Sequence, residues 1–312
     1  MDAAQIQSQV NSNIYFNLIS FTALFYEYFL TLSLEILRYW GTPLKLPTIL
    51  FFANRYGTLF GTIPVVIQNF WTTESSPQKI RICQHLETYH QYFIIVTQIL
   101  IGLMLLLRTY ALYERSKRVL ALMVFVAVAS IAVAIWSVFT GKAGDSSQNL
   151  HLYVGCAYGF TKAQGISLAT AWAGSGVFDF MVFVLTLRKG LGVDSRDINL
   201  LSVLLRDGSV YFGVMAMSNL SNILTFVLGS PYTRGIVTTF TNIISSLMIS
   251  RLMLNLRDPS LVHSMSEGIS DGTSAATGLV FAPHRGTPDV YTDMSSDIEL
   301  STRVEAHKGV HV

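Results

Sequence analysis

The sequence predicts an all-α membrane protein with seven transmembrane helices, an outside N-terminus and a cytoplasmic C-terminus. Three observations lead to this fold class. Hydrophobic residues make up 51% of the 312-residue chain and charged residues only 13%, a composition typical of proteins whose solvent is the bilayer. The apolar residues are gathered in seven runs of about 20 residues, the length that crosses a bilayer core. Lys and Arg are concentrated in alternate connections between these runs.

The seven runs define the predicted helices in chain order. We expect the first to be a retained helix, because residues 1–16 lack the basic region and cleavage site of a secretory signal peptide. The fourth is the clearest, since it has no charge after its first residue, whereas the first, second and fifth contain charged residues. The runs are Ile14 to Ile36, Pro47 to Phe70, Tyr89 to Leu112, Arg118 to Phe139, Ile166 to Leu187, Gly208 to Gly229 and Thr233 to Leu256.

Basic residues give the orientation, because they are retained on the cytoplasmic side of a membrane. Twelve Lys and Arg residues fall in the connections on one side and five in those on the other, which places the C-terminus inside. The prediction divides the chain into an extracellular N-terminus (1–13), a transmembrane domain (14–256) and a cytoplasmic tail (257–312). The tail is rich in Ser, Gly, Thr, Asp and Glu, so we expect it to be disordered.

The two cysteines both fall on the predicted outer side. Cys83 lies just before the third helix and Cys156 lies in the loop between the fourth and fifth. An oxidising compartment favours a bridge between them. The sequence therefore predicts a disulfide between Cys83 and Cys156, with two free cysteines as the alternative.

Three ionisable residues lie inside predicted helices at a similar depth. Counted from the cytoplasmic helix ends, Glu27, Arg55 and Asp179 each lie about 12 Å deep. A lone charge at this depth is costly, so we expect Glu27 to pair with Arg55, and Asp179 to compete or join as a third member. Such a cluster is either a ligand-responsive or proton-linked site, or a pair that only fixes helix packing.

Other classes of site are not indicated. The segment CQHLETYH fits no zinc pattern, and the sequence has no glycine-rich phosphate loop or GxSxG elbow. We therefore expect no metal, no cofactor and no enzyme activity. The net charge of +2 and the scattered basic residues also argue against a nucleic-acid partner.

Four segments carry a family resemblance. The elements YEYFLTLSLE (26–35), RTYALY (108–113), LLRDG (204–208) and SRLMLNLR (250–257) resemble those of a large family of fungal, mainly basidiomycete, multi-pass membrane proteins known only as a domain of unknown function. The resemblance covers nearly all of residues 20–257. It implies a membrane architecture but no activity or cofactor.

The predicted layout is also similar to that of G-protein-coupled receptors. Arg108 lies where such receptors carry an arginine at the inner end of the third helix, but Leu107 precedes it instead of an acid, and the seventh helix lacks an Asn-Pro-x-x-Tyr element. This likeness rests on architecture alone. It suggests Arg108, Tyr110 and Arg115 as residues that couple the bundle to the cytoplasm.

Three hypotheses for function remain open. The first is a receptor-like sensor of the plasma membrane, whose partners are the lipid bilayer, a small-molecule ligand and a cytoplasmic signalling partner. The second is a transporter or proton-linked carrier that uses the buried charges. The third is a membrane scaffold whose tail binds partner proteins.

Overall fold

The computed structural model describes residues 3–74, 76–142, 148–150, 155–191 and 200–257. These residues form eight helices and one antiparallel pair of three-residue strands. The predicted disordered tail, apart from Arg257, lies outside the described residues. The helices are α1 (Ala3–Tyr39), α2 (Leu46–Gly61), α3 (Ile63–Phe70), α4 (Pro77–Leu112), α5 (Lys117–Lys142), α6 (Lys162–Leu191), α7 (Leu200–Leu228) and α8 (Thr238–Asn255), and the strands are β1 (Gln148–Leu150) and β2 (Ala157–Gly159).

Each of the seven predicted runs corresponds to a helical segment. The second run is divided into α2 and α3 at Thr62, next to Pro64 in the first turn of α3, because proline cannot donate the backbone hydrogen bond that would continue α2. The first helix begins at Ala3, well before Ile14. The paired strands were not predicted, since three-residue segments are too short to show an alternating pattern.

Six of the seven segments are long and apolar enough to cross a membrane: α1, α2 with α3, α4, α5, α6 and α7. The exception is α8, which has 18 residues and contains Ser, Thr, Asn and an arginine. Twelve of these 18 residues are buried. In contrast, only 6% of the most apolar stretch of α5 is buried. The bundle therefore encloses the segment that is not apolar enough to cross a membrane by itself and exposes its most apolar span.

Consecutive segments reverse direction, which gives the bundle two ends. The bundle end at which α1, α4, α6 and α8 terminate is called the tail end. The opposite end is called the disulfide end. The main apolar core lies toward the tail end. Packing of side chains and hydrogen bonds between helices hold such bundles together, because lipid tails are as apolar as the core. Among the most buried apolar side chains are Tyr39, Phe51, Met104, Leu105, Met123, Val182, Phe212 and Ile249.

The two residues just before β2, Gly155 and Cys156, are bonded to the disulfide end. Cys83 of α4 is bonded to Cys156, with 5.7 Å between their Cα atoms. The backbone N–H of Gly155 donates to the carbonyl of Trp71, and that of Cys156 to Gln68, both at 2.9 Å. Gly155 has a φ of +69°, and a Cβ at this position would collide with the backbone of Asn69. Only glycine therefore fits this position without strain.

Candidate functional site

The three charges predicted to meet lie in three separate contacts. Arg55 pairs with Glu35, Glu27 pairs with Arg251, and Asp179 contacts Asn219. The predicted pairing of Glu27 with Arg55 is therefore corrected. Glu35 lies about two turns after Glu27, on the same face of α1, and it is the acid that Arg55 reaches.

The pair formed by Glu35 and Arg55 is sealed between α1 and α2. Arg55 Nε lies 2.6 Å from Glu35 Oε2, and the two side chains are 4% and 0% exposed. Glu35 Oε1 also accepts hydrogen bonds from the Tyr56 hydroxyl at 2.8 Å and from Trp40 Nε1 at 3.2 Å. Arg55 Nη2 donates to the carbonyl of Tyr28 at 3.0 Å, and its guanidinium lies over the Tyr28 ring. Because these partners compensate both charges, the pair fixes α1 against α2.

A second ion pair connects α1 to α8. The guanidinium of Arg251 forms two hydrogen bonds to the carboxylate of Glu27, the Nη2–Oε2 bond being 2.7 Å. This bidentate geometry is the strongest form of such a contact. The Arg251 side chain is 36% exposed and that of Glu27 13%, so this pair is less enclosed than the first.

The third contact joins α6 to α7. Asp179 is 6% exposed and Asn219 is 1% exposed. Asn219 Nδ2 donates to Asp179 Oδ2, while Asn219 Oδ1 is buried without a hydrogen-bond partner in the described part of the chain. No described Lys, Arg or His forms an ion pair with Asp179, which distinguishes it from Glu27 and Glu35.

Amide and hydroxyl groups continue these contacts along α8, forming what we call the polar seam. Amides in bilayers are stabilised by such interhelical hydrogen bonds. The seam explains why α8 can be polar and still buried. Its hydrogen bonds run from Asn54 to Ser250 (3.0 Å) and to the carbonyl of Ser246 (3.1 Å), between Thr58 and Ser246 (2.8 Å), from Gln98 to Asn242 (3.1 Å), from Thr238 to Asn222 (2.9 Å) and from Thr241 to the carbonyl of Ser218 (3.2 Å).

Arg108, at the tail end of α4, lies against α7. Its guanidinium carbon is 4.9 Å from the centre of the Phe212 ring, and a Cβ at Gly208 would collide with the guanidinium. Arg108 Nη1 is buried, with no hydrogen-bond partner among the residues that the structure describes. The absence of a side chain at Gly208 thus makes room for a cation between the two helices.

The other two predicted coupling residues lie in the turn between α4 and α5. The N–H of Arg115 donates to the carbonyl of Tyr110 at 3.0 Å. Glu114 and Arg115 have φ values of +51° and +62°, which reverse the chain sharply after α4. Tyr110 is half-buried and the Arg115 side chain is exposed. The structure therefore places Arg108, but not Arg115, against another helix.

Sequence reasoning missed several residues that join the helices at the tail end. The Tyr113 hydroxyl donates to the carbonyl of Leu185 at 2.8 Å, which ties α4 to α6. The guanidinium carbon of Arg257 lies 3.8 Å from the centre of the Tyr39 ring, and its Nη2 donates to Thr48 Oγ1 at 2.7 Å. These contacts join the end of α8 to α1 and α2. From the sequence, Arg257 was counted only among the basic residues predicted to lie on the cytoplasmic side. The charge count could not predict its contacts.

One groove of about 710 Å³ runs along α7. Its walls come from α1, α6, α7 and α8 and are mostly apolar. None of the predicted site residues lines it. The lining residues are Phe16, Phe183, Leu187, Ser209, Val210, Gly213, Val214, Met217, Ser218, Ser221, Val237, Phe240 and Thr241.

These features define the chain as a multi-pass helical membrane protein, with contacts to the lipid bilayer. Residues 15–60 match the model of a family of unknown function, DUF6533. The match confirms the resemblance to a family of unknown function and includes its first element, at residues 26–35. No curated protein and no solved structure matches the chain. The fungal source implied by the resemblance stays a prediction.

Proposed function

We propose that the protein is a receptor-like seven-helix sensor of the plasma membrane, with the disulfide end outside and the tail end in the cytoplasm. A stimulus at the outer side would change the packing of α7 against α4, and a cytoplasmic partner would detect the change. The observation that carries this proposal is the position of Arg108, half-buried between α4 and α7 with a nitrogen that lacks a described partner. Such a contact would have to break if α7 moved.

The ion pairs favour a sensor over a carrier. The carrier hypothesis was motivated by the shared depth of Glu27, Arg55 and Asp179, whereas Glu27 and Arg55 are each paired with a different residue. Paired, enclosed charges hold helices in register. The two ion pairs hold α1, α2 and α8 in a fixed arrangement, relative to which α7 could move. The scaffold hypothesis depends on the tail, outside the described residues, and stays a prediction.

The orientation can be tested with epitope tags at the two termini of the full-length protein. In intact cells we expect an antibody to bind the N-terminal tag only, and the C-terminal tag only after permeabilisation. The reverse pattern would overturn the orientation, because every loop would change sides with it.

The coupling role can be tested with Arg108→Ala in cells that produce the protein. At equal surface expression, we expect the transcript profile of the variant to resemble that of cells with the empty vector, while the wild-type profile differs from it. Lys117→Ala is the matched control, since Lys117 is exposed at the same end, and it should resemble the wild type. An Arg108→Ala profile equal to that of the wild type would contradict the proposed role of Arg108.

A further inference from the structure

Asp179 is a buried acid without a compensating cation among the described residues. Glu27 and Glu35 are each paired with an arginine, whereas the described partner of Asp179 is the neutral amide of Asn219. Leaving an ionised carboxylate unpaired in a membrane interior is costly, and the usual outcome is that it takes up a proton. Of the two acids classed as buried among the described residues, Glu35 and Asp179, only Asp179 lacks a cation as partner.

The helices packed against α6 supply no nearby charge. They are α4, α5 and α7. On α5 there is no charged residue between Arg118 and Lys142. On α4, the position that faces Phe178 is Gly102, and the nearest titratable groups on either side are Arg108, about 9 Å away along the helix axis, and Tyr92, about 15 Å away.

The α7 side is equally free of charge around the acid. The titratable group nearest to Asn219 within the described part of α7 is Tyr211, eight residues away, or about 12 Å along the axis. On α6 itself, Asp179 is the only charged residue between Lys162 and Arg188. No described cation is therefore placed to neutralise the carboxylate.

The unpartnered amide oxygen of Asn219 indicates how the charge of the Asp179 carboxylate is neutralised. An ionised carboxylate only accepts hydrogen bonds, so it can bind the amide N–H but leaves the amide oxygen without a donor. This is the observed state of Asn219 Oδ1, which is buried and without a described partner. A protonated acid would donate its O–H to that oxygen and accept from Nδ2, which satisfies both groups.

We propose that Asp179 and Asn219 form a proton-binding site, in which the protonated acid and the amide make two reciprocal hydrogen bonds between α6 and α7. Loss of the proton would leave a buried negative charge next to the oxygen of Asn219. The contact would then weaken, and α6 and α7 would separate more readily. This inference is independent of whether the tail end transmits a signal.

Infrared spectroscopy of the full-length protein in micelles of a detergent without ester groups tests the site, because a protonated carboxylic acid has a carbonyl band that a carboxylate lacks. At neutral pH we expect this band in the wild type, its loss at high pH and its absence in Asp179→Asn. Glu27→Gln is the matched control and should keep the band, since it removes a carboxylate that is already paired with Arg251 and leaves Asp179 and Asn219 unchanged. A wild type without the band at neutral pH, or Asp179→Asn with the band at full intensity, would overturn the proposal.

Two further measurements keep the test decisive if Asp179→Asn folds poorly. In Asn219→Ala the acid loses its acceptor, so we expect the band to move to higher frequency, and an unmoved band would contradict the pairing. The thermal midpoint of the wild type should fall as the pH rises, because the proton is bound by the folded state. A midpoint that stays constant from neutral to high pH would also count against the site.

Discussion

Removal of the Arg55 side-chain charge tests whether the sealed pair fixes α1 against α2. In Arg55→Met the chain keeps a long apolar side chain, but Glu35, with a fully enclosed side chain, loses its cation. Breaking a buried pair in this way costs about 3–5 kcal/mol of folding free energy. The hydrogen bonds from Tyr56 and Trp40 to Glu35 Oε1 remain, so we expect the lower part of this range.

The measurement is equilibrium unfolding in detergent micelles, followed by circular dichroism. Arg251→Met is the matched control, because it removes the cation of the less enclosed pair. The Arg251 side chain is 36% exposed, so the charge left on Glu27 is less enclosed than the charge left on Glu35. We expect Arg251→Met to cost about 1 kcal/mol.

The double variant Arg55→Met/Glu35→Met separates the cost of an unpaired charge from the loss of contacts. Two apolar side chains of similar volume leave no uncompensated charge, and such replacements are often neutral. We expect the double variant to be more stable than Arg55→Met alone. If the double variant is as unstable as the single one, or if Arg55→Met and Arg251→Met cost the same, the argument from enclosure is refuted.

Two further predictions concern the disulfide and the contact between α5 and α6. Cys156→Ser should lower the free energy of unfolding by up to ~4 kcal/mol, because the bridge to Cys83 closes a long loop; reductant should lower the denaturation midpoint of the wild type but not of the variant. Gly174→Leu should cost about 1–3 kcal/mol, since a Cβ there would lie 3.3 Å from the backbone of Ser130. Gly57→Leu is its control in the same unfolding assay and should be neutral, because nothing lies within 4 Å of that Cβ.

The sequence predicted the helical segments well because the membrane imposes the pattern. A chain in lipid must satisfy every backbone hydrogen bond within its own helix, so each crossing appears as a long apolar run. Even α8, the least apolar segment, falls inside the predicted Thr233 to Leu256. The interruption of the second helix near Pro64 could also be predicted from the sequence, since proline lacks the N–H donor that a continuous helix needs.

The partners of the buried charges could not be predicted in the same way. Helical periodicity places Glu27 and Glu35 on one face of α1, but it cannot tell which of them Arg55 reaches. That choice depends on how far α2 is shifted along α1, which the turn between the two helices determines. From the sequence, Arg251 was counted only among the basic residues of the cytoplasmic side, although it lies inside the predicted run Thr233 to Leu256. The structure places it on α8 as the partner of Glu27.

The enclosed position of α8 has a consequence for biogenesis. A helix enters the bilayer from the translocon on the strength of its own apolarity, and an arginine or several polar groups oppose entry. On its own, α8 is a weak candidate for insertion, because its Asn, Ser and Arg side chains are hydrogen-bonded to residues of α1, α2, α4 and α7. We therefore expect the last helix to insert into the membrane after the earlier ones are in place. If α1 is truncated, α8 should fail to insert during synthesis.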